Sequence, residues 1–112
     1  MQPESKKLLF DMREAAELIE SFITSKSLTD FMGDKLLRSG VYFQFTIVGE
    51  ALTQLRDRDE PTAARISEYA RIIGFRNQVI HGYGKIDDEI TWRIIQDKLP
   101  IMKRELEQLL AE

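Results

Sequence analysis

Val41-Tyr42-Phe43-Gln44-Phe45-Thr46-Ile47-Val48 is apolar on more than one side when wound as a helix at about 100° per residue. A helix that is apolar nearly all round either stands at the centre of its bundle or is shared with a second chain. In a chain of 112 residues both are expected together: a central helix and a homodimer. Working outward, Ser27 or Thr29 can cap this helix, with Asp30 near its positive end. The helix is predicted to run on through Leu36, Val41, Phe45, Val48, Leu52 and Leu55. Gly40 and Gly49 fall inside it and cost about 1 kcal/mol each relative to alanine.

The flanking sequence has the same period, and no stretch alternates in the manner of a strand. A first helix starts near Pro3, where the missing N–H costs nothing, and carries Leu8, Met12, Ala15, Ala16, Ile19, Phe22 and Ile23 on one stripe up to a break at Thr24–Ser27. Asp57 to Pro61 reads as a turn, with Pro61 opening a third helix that holds Ala64, Ile66, Tyr69, Ala70, Ile72 and Ile73. Gly74 is expected to break or bend it, leaving a short fourth helix over residues 76–81 that Gly82-Tyr83-Gly84 stops. Asp87 or Asp88 caps the last helix, whose inner face would hold Ile90, Ile94, Ile95, Leu99, Met102, Leu106 and Leu109, kinked or interrupted at Pro100. The fold expected is all-α, a bundle of four or five helices forming one domain over residues 1–112.

Composition narrows the chemistry. The chain is 43% hydrophobic and 31% charged, as soluble globular domains are. It has no cysteine, which excludes thiolate catalysis, disulfides and cysteine-type zinc sites. No apolar run approaches the ~20 residues of a membrane span, and Asp11, Arg13 and Glu14 interrupt any signal-peptide core, so a cytoplasmic protein without membrane contact is expected. Sixteen Lys and Arg stand against 19 Asp and Glu, which does not suit a general nucleic-acid coat. The excess of base is confined to residues 56–85, where Arg56, Arg58, Arg65, Arg71, Arg76 and Lys85 meet only four acids. That suits contact with one or two phosphates, and equally a set of solvated helix faces.

Proton transfer near neutral pH points to the only histidine, His81. Arg76, Asn77 and Tyr83 surround it in sequence and fall on one side of a helix, with Gln78, Val79 and Gly82 on the other. Asn77 and His81 are four apart and can hydrogen-bond, orienting the imidazole. An arginine fork grips two phosphate oxygens, and a histidine can take the proton of a 2′-hydroxyl, so phosphodiester cleavage fits these residues. No metal is needed: one histidine and scattered carboxylates make no metal cluster. A histidine near a helix end also commonly caps carbonyls, a surface arginine is commonly just solvated, and Gly82-Tyr83-Gly84 reads as a plain helix stop, without the spacing of a nucleotide-binding glycine loop.

Phe75-Arg76-Asn77-Gln78-Val79-Ile80-His81-Gly82-Tyr83 resembles the R-x4-H-x-Y signature of HEPN-domain proteins, the HepT-like toxins in particular. Ile47-Val48-Gly49-Glu50-Ala51 looks like the family's G-E-A stretch, and Trp92-Arg93-Ile94-Ile95 with Leu99-Pro100 like its last helix, so the resemblance covers essentially the whole chain. It implies an HEPN-type bundle and a metal-independent endoribonuclease, without cofactor, acting as the toxin of a toxin–antitoxin pair. In such proteins the signature helices of two copies face each other across a two-fold axis. On this sequence the resemblance gives Arg76 the scissile phosphate, Asn77 an orienting role, and His81 the 2′-hydroxyl, leaving a 2′,3′-cyclic phosphate. Tyr83 matches the residue to which a minimal nucleotidyltransferase antitoxin adds AMP. Glu50 is either a further site residue or a structural ion pair. Within one helix Arg76 and His81 lie about 140° apart, so a second copy is expected to complete the cleft. The alternative is a non-catalytic module that binds a nucleotide, or substrate, for a companion nucleotidyltransferase.

Overall fold

A computed structural model describes residues 1–112. The chain is all-α, and most of the expected apolar stripes pack inward, Leu36, Ala64, Ala70 and Ile90 being exposed. Helix α1 spans Pro3–Ile23, α2 Leu28–Gly33, α3 Lys35–Arg58, α4 Glu60–Ala63, α5 Tyr69–His81, α6 Asp88–Asp97 and α7 Leu99–Leu110, with a 3-10 turn at Tyr83–Lys85 between α5 and α6. The central element is α3: α1 packs on one side of it and α5 on another, while α7 closes over α1. Leu9, Met12 and Ile19 of α1, Val41, Val48, Leu52 and Leu55 of α3, and Leu106 and Leu109 of α7 lose essentially all contact with solvent. Each such side chain contributes about 1.5–3 kcal/mol of burial. No helix is long and apolar enough to cross a membrane.

Ser27 is the cap that the sequence allows: its Oγ accepts from the Asp30 N–H at 3.1 Å, and Asp30 Oδ2 accepts in return from the Ser27 N–H at 2.9 Å. Those bonds, the backbone one first, hold the Asp30 carboxyl below its usual range. The helix that begins there is divided at Asp34, where the periodicity predicts continuity. Asp34 has extended backbone (φ −126°, ψ 98°), and its Oδ1 accepts from the Leu37 N–H at 3.1 Å to start α3 afresh. Arg38 reaches back and donates to the carbonyls of Phe31 (2.9 Å) and Met32 (2.5 Å) at the end of α2. The break lets α2 turn Phe31 into the core, its ring 5.4 Å from that of Trp92.

Two further expectations are corrected downstream. The third helix does not run on from Pro61: α4 is one turn, and Glu68 adopts a left-handed conformation (φ 56°) before α5 starts. Glu105 of α7 supports that turn, accepting from the Ser67 N–H at 3.0 Å and from Ser67 Oγ at 2.6 Å, while Ile66 is buried in the core. Gly74 does not break α5, which runs unbroken through it: Gly74 is exposed, while Ile73 is buried and Ile72 and Phe75 pack against the core.

The last helix is interrupted rather than kinked, at Lys98, with Pro100 in the first turn of α7 where its lost donor has no partner to miss. Asp87 is its cap, accepting from the Glu89 and Ile90 N–H groups. Ile90 is not on the inner face but 51% exposed, while its neighbour Thr91 in the same turn is buried. Tyr42 of α3 ties down the start of α6: its hydroxyl donates to Asp88 Oδ1 at 2.5 Å and lies 2.9 Å from Thr91 Oγ1. Burial, and then the bond to Asp88, raise that phenol well above its ordinary pKa.

Candidate active site

The side of α5 that faces α3 carries Arg76, and the place where it crosses carries Gly49. A Cβ on Gly49 would stand 2.2 Å from Arg76 Cβ and 2.4 Å from Cγ, so only glycine lets the arginine stem lie against α3. One residue on, Glu50 Oε2 accepts from Arg76 Nη2 at 2.6 Å, and Asn77 Oδ1 accepts from Nη1 at 2.9 Å. Gln54, one turn further along α3, donates to Glu50 Oε1 at 3.1 Å. Gln54, Glu50, Arg76 and Asn77 thus form a continuous polar row. Arg76 Nε is buried and has no partner, and the side chain as a whole is 22% exposed.

This row edges a cleft of about 620 Å³ between α1, α3 and α5, with Leu8, Ile47 and Ile80 among its apolar walls. Arg76 and Glu50 both line it; His81 does not. His81 is exposed at the end of α5 and makes no hydrogen bond to Asn77, whose oxygen Arg76 already occupies, so the expected Asn77–His81 pair does not form. Tyr83 is 78% exposed in the 3-10 turn just beyond. Within one chain, then, Arg76, Asn77 and Glu50 are brought together, whereas His81 and Tyr83 stand apart from them toward solvent.

The basic middle of the chain is not one locus. Arg65 pairs with Glu112 at the far terminus, Arg71 with Glu68, and Arg56 with its neighbour Asp57. Of that set only Arg58 and Arg76 line the cleft. Their mutual hydrogen bonds hold Glu112 below, and Arg65 above, its ordinary pKa. Neither the place of Gly49 against Arg76 nor that of Gln54 in the polar row is evident from helical periodicity. The signals were there: a costly glycine immediately before Glu50 in a long helix, and an amide four residues after it on the same face.

The family model described as Ribonuclease HepT-like matches residues 12–109, which include Gly49, Glu50, Arg76 and His81. A Thermococcus cleftensis protein named "Probable ribonuclease HepT" is 31% identical over 111 residues, covering 97% of this chain and 98% of that protein. A Methanocaldococcus jannaschii protein named "Putative RNase MJ1380" is 28% identical over 102 residues, covering 91% of this chain and 93% of its own length. No solved structure gives a significant match. With the match extending over nearly all of the bundle, the chain belongs to the HepT-like ribonuclease family.

Proposed function

We propose that this protein is an endoribonuclease that cuts RNA without a metal ion, acting in the cytoplasm as the toxin of a toxin–antitoxin pair. The observation that carries the reading is the state of Arg76. Two of its five N–H groups are engaged by Glu50 and Asn77 and Nε is buried, which leaves one N–H on each terminal nitrogen. That pair matches two oxygens of one phosphate. Glu50 and Asn77 position the guanidinium and Arg76 binds the scissile phosphate. His81 removes the proton of the 2′-hydroxyl, the 2′-oxygen attacks phosphorus, and the bond to the 5′-oxygen breaks as that oxygen takes a proton from solvent. The products are a 2′,3′-cyclic phosphate and a free 5′-hydroxyl.

His81 of the same chain stands away from Arg76, so the reading requires a homodimer in which one copy supplies the arginine and the other the histidine. Exposed apolar surface supports this: Leu36 (83% exposed) and Phe43 (62% exposed) follow one face of α3 outside the cleft. Exposed Tyr83 is the residue to which a partner nucleotidyltransferase adds AMP, placing charge and bulk beside the RNA path.

The experiment is cleavage of single-stranded RNA in excess chelator, with the same sequence as DNA for comparison. Wild type is expected to cut RNA only, and Arg76→Ala and His81→Ala each to lose about 100-fold or more. Equal cutting by His81→Ala overturns the assignment. Coexpression with a cognate minimal nucleotidyltransferase is expected to add the mass of AMP to wild type and not to Tyr83→Phe. One observation favours a second reading: Glu50, 2.6 Å from Arg76, already neutralises it, as would suit a non-catalytic module that holds a nucleotide for a nucleotidyltransferase. Tight mononucleotide binding with every RNA left intact would select that reading.

A further inference from the structure

The cleft beside Arg76 is larger than a phosphate needs and has the wrong electrostatics for a strand of phosphates. The charged side chains on its wall are matched in opposite pairs: Lys7 with Asp11 at 2.8 Å, Arg58 with Glu4 at 3.9 Å, and Arg76 with Glu50 at 2.6 Å. A groove that tracks a nucleic-acid backbone carries an excess of positive charge, and here there is none. What the wall offers instead is apolar surface from Leu8, Ile47 and Ile80, and the edge of one uncharged amide, Gln54. Gln54 uses one N–H on Glu50 and keeps its other N–H and its carbonyl oxygen unbonded. Ile80 stands one turn after Arg76 on α5, and Gln54 one turn after Glu50 on α3, so both adjoin the phosphate position.

An apolar slot with a donor and an acceptor at its side suits a flat, uncharged heterocycle whose edge carries the complementary groups. RNA supplies one at each nucleotide, because single-stranded bases are recognised by being splayed out, packed against side chains and hydrogen-bonded at their edges. A volume of about 620 Å³ holds one such group with its ribose.

Resting on the ribonuclease reading above, we propose that this cleft is a base-selecting subsite: it takes the unstacked base of the nucleotide adjoining the phosphate on Arg76, between Leu8, Ile47 and Ile80, and Gln54 reads its edge. Cleavage then has a base preference at one fixed position, set by Gln54 rather than by His81.

Two measurements test it on the full-length protein. The first sequences the cut sites in a randomised single-stranded RNA. Wild type is expected to favour one base, or one pair of bases sharing an edge pattern, at a fixed position. Gln54→Ala is expected to lower that preference about tenfold, the worth of one or two hydrogen bonds. Ile80→Ala should raise KM for the favoured sites more than it lowers kcat. A Gln54→Ala protein with the wild-type preference overturns the subsite. The second measurement does not depend on cleavage: nuclear magnetic resonance titration with the four ribonucleoside 3′-monophosphates and with ribose 5-phosphate. At least one nucleotide should shift the methyl signals of Ile47 and Ile80, and ribose 5-phosphate should not. Unmoved methyls, or equal shifts with the base-free sugar, overturn the subsite. Wild type that cuts no RNA defeats the ribonuclease reading instead, and the titration alone then decides whether a base occupies the cleft.

Discussion

At Gly49 the backbone of α3 comes so near Arg76 that a methyl group would fall 2.2 Å from the arginine Cβ. Glycine inside a helix costs about 1 kcal/mol relative to alanine, and here that cost is offset by the contact it allows. The same hypothetical Cβ at Gly74 meets nothing within 4 Å. The two substitutions should therefore move in opposite directions in urea unfolding. Gly49→Ala is expected to lower stability by about 1–3 kcal/mol and to dislodge Arg76 from Glu50, and Gly74→Ala to raise it by about 0.5–1 kcal/mol. Equal gains at both positions would show that α5 does not cross α3 at Gly49. Arg76, Asn77 and His81 could be singled out in the sequence because their chemistry is local to one short segment. The part played by Gly49 could not, since it depends on which residue of a distant helix, here Arg76 of α5, lies opposite.

Helix limits follow a similar division. Ser27, Asp87 and the Gly82 stop were legible because each acts on N–H or C=O groups within four residues of itself. The break at Glu68 was not, because Glu105 of α7 supports its neighbour Ser67 from 38 positions away. Asp34 caps α3 locally at Leu37, but the apolar period runs on across it, and the joint is held by Arg38, whose Nε is 3.5 Å from Asp88 of α6. Tyr42 and Asp88 complete that joint between α3 and α6, and it carries a pH signature. The folded phenol ionises well above the ordinary value of about 10. The stabilisation is thus fully present below about pH 10 and lost as pH rises, when the unfolded chain ionises and the folded one does not. Melting temperatures recorded from pH 8 upward should fall more steeply for wild type than for Tyr42→Phe. Parallel curves would remove Tyr42 from the joint.

The molecule measures 42 × 29 × 19 Å, and 19 Å is about two helix diameters. In so thin a body α3 packs against α1 and α5 and still has a bare flank, which is where Leu36 and Phe43 stand exposed. A second copy of the chain would cover that flank and bring a second α5 toward Arg76. Light scattering is expected to return twice the 13.0 kDa chain mass for wild type, and Phe43→Asp is expected to be a folded single chain with RNA cleavage lost. A wild type that stays at 13.0 kDa at micromolar concentration would remove the composite site.

Periodicity and caps were enough to establish an all-helical chain with α3 at its centre, because burial follows the spacing of apolar residues and caps act within one turn. The short Arg76–Tyr83 signature was enough to point to phosphodiester chemistry. Folding alone decided that Glu50 and Gln54 join Arg76 while His81 does not, and that a charge-balanced cleft opens beside them. Those outcomes rest on how two helices cross, and a crossing is set by the packing of many side chains at once, which no single stretch of residues encodes.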